Sequence, residues 1–154
     1  MTRLLLKLAL TVMVVNLVYS TPVAAQESPT TKKAARVRIT RGPEIERVDP
    51  DVAIIRWTSD NPGGSPVHYG VVRYGTDRTK LDQTAKNPIR LNPGHSQTIF
   101  RVRMNGLNPR TTYYYTVESM EANGTSNRVK SAVRKFTTPG PGERIVAAPP
   151  KPVS

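Results

Sequence analysis

Between Arg36 and Thr138 the chain is a succession of short apolar and polar alternations divided by turn residues. No stretch carries a helical stripe of useful length, so the period of two predicts strands throughout. In Ala35–Thr40, Val37 and Ile39 share one face while Arg36 and Arg38 share the other. In Val52–Thr58, Ala53, Ile55 and Trp57 point inward, against Ile54 and Arg56. The turn-rich run Ser59–Pro66 follows, then Val67–Gly75 with Val72 and Tyr74 inward. A weak edge strand is expected around Leu81, and Lys86–His95 reads as a connection. In Ser96–Leu107, Phe100, Val102 and Met104 oppose Ile99, Arg101 and Arg103. In Thr111–Ser119, Tyr113, Tyr115 and Val117 face inward and Tyr114 outward. After the loop Glu121–Asn127 comes one final strand, Val129–Thr138, anchored by Phe136. About seven short strands at this spacing predict an all-β sandwich of two antiparallel sheets. A closed barrel with another pairing order is the alternative.

The flanks differ from this body. Residues 1–25 have a basic start at Arg3 and Lys7, an apolar run from Leu8 to Val18, and the small residues Val23-Ala24-Ala25. That order predicts a cleaved secretory signal with Gln26 as the first mature residue, and hence a secreted, cell-envelope or periplasmic location. A retained anchor is the alternative, although the run is short beside the roughly 20 residues that span a bilayer. Once the signal is removed, no membrane span is expected. Residues 26–35 read as a polar linker, 36–138 as the folded domain, and 139–154 as a disordered Pro/Gly-rich tail.

Two features give the sandwich a family likeness. Trp57 lies on the second strand, and Leu107-Asn-Pro-Arg-Thr-Thr-Tyr113 leads into the penultimate one. Together they resemble a fibronectin type III domain, which implies an immunoglobulin-like sandwich in which Leu107, Pro109 and Tyr113 would form the corner that closes the core. Two positions depart from that pattern. Arg110 stands where a glycine commonly follows the corner proline. Gly70 stands where a tyrosine is usual, which predicts a locally thinned core. Val72–Thr76, Leu107–Val117 and the closing Lys135–Pro139 are similar, more narrowly, to the fibronectin-like N-terminal domain of purple acid phosphatases. In those enzymes a separate C-terminal domain binds two metals and performs the chemistry. No such domain fits within 154 residues after Thr138, so the resemblance implies the sandwich without phosphatase activity.

Candidate chemistry is sparse. The chain has no cysteine, so disulfides, thiolate catalysis and Cys-based metal sites are excluded. His68 and His95 flank different loops and read as ordinary loop or surface histidines. The Asp positions lack calcium-loop spacing, and the glycine-rich turn lacks the lysine of a phosphate cradle. No enzyme activity, metal or cofactor is expected. Asn123-Gly-Thr125 fits a glycosylation acceptor but is better read as a hairpin turn.

Charge supplies the functional expectation. The formal net charge is +12 and falls to +10 without Arg3 and Lys7, which favours encounters with anionic surfaces. If the first, second and fifth strands share a sheet, Arg36, Arg38, Arg56, Arg101 and Arg103 project from its outer face around Ile54 and Ile99. Such a stripe suits carboxylate, sulfate or phosphate; arginine stems covering apolar neighbours would look the same. Tyr69, Val71 and Tyr114 form a candidate second patch on the opposite sheet. The basic pieces Arg36–Thr40, Arg101–Asn105 and Lys130–Phe136 lack interleaved aromatics, which disfavours nucleic acid. The expected function is a monomeric, exported, non-enzymatic interaction or adhesion module for a protein or an anionic polysaccharide surface. The alternatives are a structural accessory domain of a separately encoded hydrolase, or an inactive N-terminal domain of a purple acid phosphatase-like protein.

Overall fold

The computed structural model describes residues 32–146. The predicted signal and residues 147–154 lie outside them, as does most of the predicted linker. All regular structure among the described residues is β: β1 (Ile39–Val48), β2 (Val52–Asp60), β3 (Val67–Gly75), β4 (Gln83–Arg90), β5 (Gln97–Asn105), β6 (Thr112–Glu121), β7 (Ser126–Lys130), β8 (Arg134–Thr137) and β9 (Ile145–Val146). They form two antiparallel sheets, not the alternative closed barrel. One has the order β5-β2-β1-β9; the other has β4-β3-β6-β7, with β8 also paired to β6.

The core lies between the sheets. Ile55, Trp57, Phe100, Val102, Met104, Tyr113, Tyr115, Val117 and Phe136 fill it, as the alternation of each strand requires. Trp57 stacks on Phe100, with ring centroids 5.2 Å apart and planes 16° from parallel. Gly70 does not thin the core. A Cβ there would come within 3.0 Å of Trp57 Cη2 and of Val102 Cγ2. The indole and the valine already occupy the space of the missing side chain.

The corner has its expected bond. The Asn108 backbone N–H donates to the Tyr113 hydroxyl at 2.9 Å, and Leu107 is buried beneath it. Pro109 is exposed and belongs to the turn rather than the core. Thr138 ties the corner to the end of β8, its hydroxyl donating to the Asn108 carbonyl at 2.6 Å and accepting from Thr111 N–H at 2.9 Å. Arg110 has φ +51°, which explains why glycine is usual at this point of the turn: the left-handed region carries no Cβ penalty for glycine.

Several boundaries differ from expectation. β1 starts at Ile39 and runs through Gly42-Pro43, which as a breaker pair reads as a strand end. Register shifts between Arg41 and Glu44 absorb the pair, and Gly42 takes φ +78° at the bulge. The weak edge strand lies at Gln83–Arg90 rather than around Leu81, and it contains Pro88. An edge strand tolerates the missing donor, because β4 pairs only with β3. The single final strand is divided into β7 and β8, each paired to β6. Part of the predicted tail is ordered by contacts: Pro139 and Gly140 are buried, and β9 pairs with Arg47 and Val48 of β1. At the other end, the linker's last residues dock on a loop, Ala34 N–H donating to the Pro62 carbonyl at 2.8 Å.

Candidate anion-binding surfaces

The predicted arginine face is partly assembled. Cross-strand register sets Arg56 beside Arg101 and Ile54 beside Arg103 on the outer face of the first sheet. Acidic residues of β1 share that face. Arg101 makes a two-pronged ion pair with Glu46, one arm 2.8 Å long, and this contact pushes the guanidinium pKa up from its ordinary value. Arg103 donates to Asn105 Oδ1 at 2.7 Å. Arg56 is half-buried and forms no ion pair among the described residues; it borders a shallow hollow with Arg41 and Arg90. Arg36 and Arg38 lie elsewhere. They precede β1 and line a cleft that separates the edges of the two sheets. The five arginines therefore divide between two surfaces.

The second patch does not hold together. Val71 is fully buried, although the alternation of β3 turns it outward. Its register partners are Lys86 and Glu118, and Arg73 pairs with Glu118 at 2.7 Å on the same face. Aliphatic stems of long charged side chains cover it. Tyr69 and Tyr114 are half-buried, and Tyr69 sits opposite Met120. Six residues of strand, about 20 Å, separate Met120 from Tyr114.

The cleft beside Arg36 has a volume of about 800 Å³. One wall is segment 33–39, which bends at Ala35 and enters β1 at Ile39, and the other is β7 with the start of β8. Lys33, Arg36, Arg38, Arg128, Lys130 and Arg134 rim it, and no Asp or Glu among the described residues lines it. Lys33 pairs with Glu121, and Arg38 with Asp60. Arg36, Arg128, Lys130 and Arg134 have no ion-pair partner among the described residues, leaving four cations available to an incoming anion. Val37 and Val129 are buried between the rim residues and give the cleft an apolar floor. Asn127, also buried, donates from Nδ2 to Ser119 Oγ at 3.1 Å, while its Oδ1 has no partner.

The local geometry of β7 aims these groups. Between its pairings at Met120↔Ser126 and Glu118↔Lys130 the register slips by two residues, and Arg128 takes φ +58°. Such a bulge bends an edge strand and redirects its side chains. Ser126 Oγ accepts the Arg128 N–H at 3.0 Å and holds the distortion in place. Sequence reasoning identified Arg36–Thr40 and Lys130–Phe136 as basic, but not as facing walls. Only the sandwich topology brings them together.

His68 corrects another expectation. It is fully buried on β3, opposite Glu121, with neither ring nitrogen hydrogen-bonded among the described residues. Burial holds its pKa below the usual histidine value; Glu121 acts in the opposite sense and Lys33 adds to the depression. No group of three His, Asp or Glu residues among those described is placed to hold a metal ion. No described helix is long and apolar enough to cross a membrane.

The Tyr113 corner, the core tryptophan and the two-sheet order now have a sequence counterpart. Residues 44–138 match the family model described as purple acid phosphatase, N-terminal domain. The chain belongs to this family. The match to this purple acid phosphatase N-terminal domain spans β1 from Glu44 through β8 and ends at Thr138, the residue that locks the corner. No curated protein matches the chain significantly. Among solved structures, the sensor domain of the anti-sigma factor RsgI4 of Pseudobacteroides cellulosolvens is similar, with 18% identity over 70% of this chain and 98% of that one and a TM-score of 0.48. The FN5 domain of Drosophila Lar shares 16% identity over 63% and 92% of the two chains, with a TM-score of 0.36. The third fibronectin III domain of human KIAA0343 protein shares 13% over 78% and 95%, with a TM-score of 0.40.

Proposed function

We propose that this domain is an exported, non-catalytic interaction module that holds an anionic partner in the cleft between segment 33–39 and β7. The observation that carries the reading is the group of cations Arg36, Arg128, Lys130 and Arg134, which among the described residues have no ion-pair partner and no carboxylate beside them in the lining. Opposed charges across an unpaired cleft raise both encounter rate and selectivity for anions. Guanidinium forks suit carboxylate and sulfate groups in particular. The outer face of the first sheet is a weaker candidate, since Glu46 already engages Arg101.

Retention on a carboxylated matrix tests the assignment. The triple variant Arg36→Ala, Arg128→Ala, Arg134→Ala should elute at lower salt than Arg56→Ala, Arg103→Ala, Lys86→Ala, which removes the same charge. Equal shifts would leave only a general charge effect. Export is checked by N-terminal sequencing of the protein recovered from the envelope or medium, which should begin at Gln26.

The family match favours a second reading, a structural accessory role beside a separately encoded hydrolase. A hydrolase that co-purifies with the wild-type chain and with the cleft triple variant alike would favour it over the cleft.

A further inference from the structure

Resting on the cleft reading, we infer that the cleft's occupant is an extended acidic polypeptide segment, with carboxylates at alternate residues and small apolar side chains between them, added as a strand along segment 35–37. Three observations point to this chemistry. First, the cleft is bounded by backbone with free hydrogen-bonding capacity. Arg38 directs both its N–H and its carbonyl to Asp60, at 3.2 and 2.9 Å. Alternation then turns the N–H and carbonyl of Val37 to the opposite edge, which faces the cleft, whereas at Ala35 the chain bends. Among the described residues, 35–37 make no backbone hydrogen bond. An unpaired edge of this kind is a template for strand addition.

Second, the rim cations repeat every second residue on both walls: Arg36 and Arg38 on one, Arg128 and Lys130 on the other. From Arg36 to Arg38 that repeat is about 6.6 Å, which is also the spacing of alternate side chains in an added strand; on the β7 wall the left-handed turn at Arg128 breaks the regular spacing. Third, the residues between the cations, Val37 and Val129, are buried in the floor. They would meet the inward-pointing apolar side chains of the same peptide. The bulge at Arg128 removes β7 as a regular pairing edge, so strand pairing falls to 35–37 and β7 contributes charge.

The probe is a fluorescein-labelled ten-residue peptide alternating Asp and Val, titrated into the full chain and followed by anisotropy. Two further peptides carry N-methyl groups on every Asp amide or on every Val amide, leaving charge unchanged. Only one set of amides can face segment 35–37, so one methylated series should weaken binding at least about tenfold and the other far less. Arg36→Ala with Arg128→Ala should weaken the parent peptide by a similar factor, with the thermal midpoint held. If both methylated series bind like the parent, or an oligogalacturonate of equal charge displaces it from the same arginines while methylation has no effect, strand addition is overturned and the anionic cleft stands. If neither peptide nor oligogalacturonate binding responds to Arg36 and Arg128, the cleft reading falls as well.

Discussion

Gly70→Ala sets two well-understood effects against each other, and the geometry around Trp57 decides between them. Alanine in place of a strand glycine usually stabilises by about 0.5–1 kcal/mol, because the unfolded chain loses freedom. Here the new Cβ would sit 3.0 Å from Trp57 Cη2, 3.0 Å from Val102 Cγ2 and 3.1 Å from Phe100 Cδ1. All three neighbours are essentially fully buried, and the indole is stacked on Phe100, so none can withdraw without disturbing the others. Overpacking at such a site costs about 1–3 kcal/mol. The two ranges leave a net loss between zero and about 2.5 kcal/mol, centred near 1 kcal/mol. For a domain of this size the central value lowers Tm by roughly 4–8 °C. Urea denaturation followed by circular dichroism measures it, and the slope should not change, since one added methyl barely alters the surface exposed on unfolding. Trp57→Phe removes Cη2, so Gly70→Ala should cost less in that background, with a coupling of at least about 0.5 kcal/mol. A Gly70→Ala midpoint at or above wild type, or a cycle with no coupling, would falsify the claim that the indole occupies the missing side chain's place.

Stability should also depend on His68. Its folded pKa is depressed mainly by burial, so the folded state binds a proton more weakly than the unfolded state, whose value is about 6.5. The stabilisation is therefore complete above about pH 6.5 and is lost as the pH falls through the lower folded value. Urea midpoints taken from pH 8 to pH 5 should decline below 6.5, and the decline should flatten in His68→Leu; a wild-type midpoint that stays level or rises on acidification contradicts the assignment. At the corner, Tyr113→Phe leaves the Asn108 N–H without its acceptor and should cost about 1–2 kcal/mol. A measured loss below about 0.5 kcal/mol would mean that the hydroxyl does not fix the turn.

The core was legible because it obeys a period of two. Trp57, Phe100, Val102 and Tyr115 all fall on the face that alternation assigned them, and Phe136 is the inward anchor of a strand whose own alternation is ambiguous. What alternation misplaced were positions where the chain departs from a regular ladder. Gly42-Pro43 signals a break when read locally, yet the bulged β1 carries it. β4 is almost entirely exposed and so shows no apolar period to read. Val71 follows the alternation in direction but not in burial, because its cover comes from Arg73, Lys86 and Glu118 on three different strands. His68 sits beside a loop in sequence and inside the sandwich in space. Its inward direction follows from the phase set by Val72 and Tyr74, but polarity argued against applying it.

The site was harder to read because charge count says nothing about where the compensating acids fall. Arg101 and Arg103 form the cleanest basic alternation in the sequence, yet β1 places Glu46 against Arg101. Arg36 and Arg128 are far apart in sequence, and no carboxylate among the described residues lines the cleft where they meet. Basic residues at sheet edges also guard against edge-to-edge pairing. That duty is local: the bulge at Arg128 and the charge on Lys130 already discharge it for β7. It does not require cations on the opposite wall, an apolar floor between them, or an edge at 35–37 whose backbone groups make no hydrogen bond among the described residues. These features share one cleft, and an added strand of alternating acidic and apolar residues uses all of them at once.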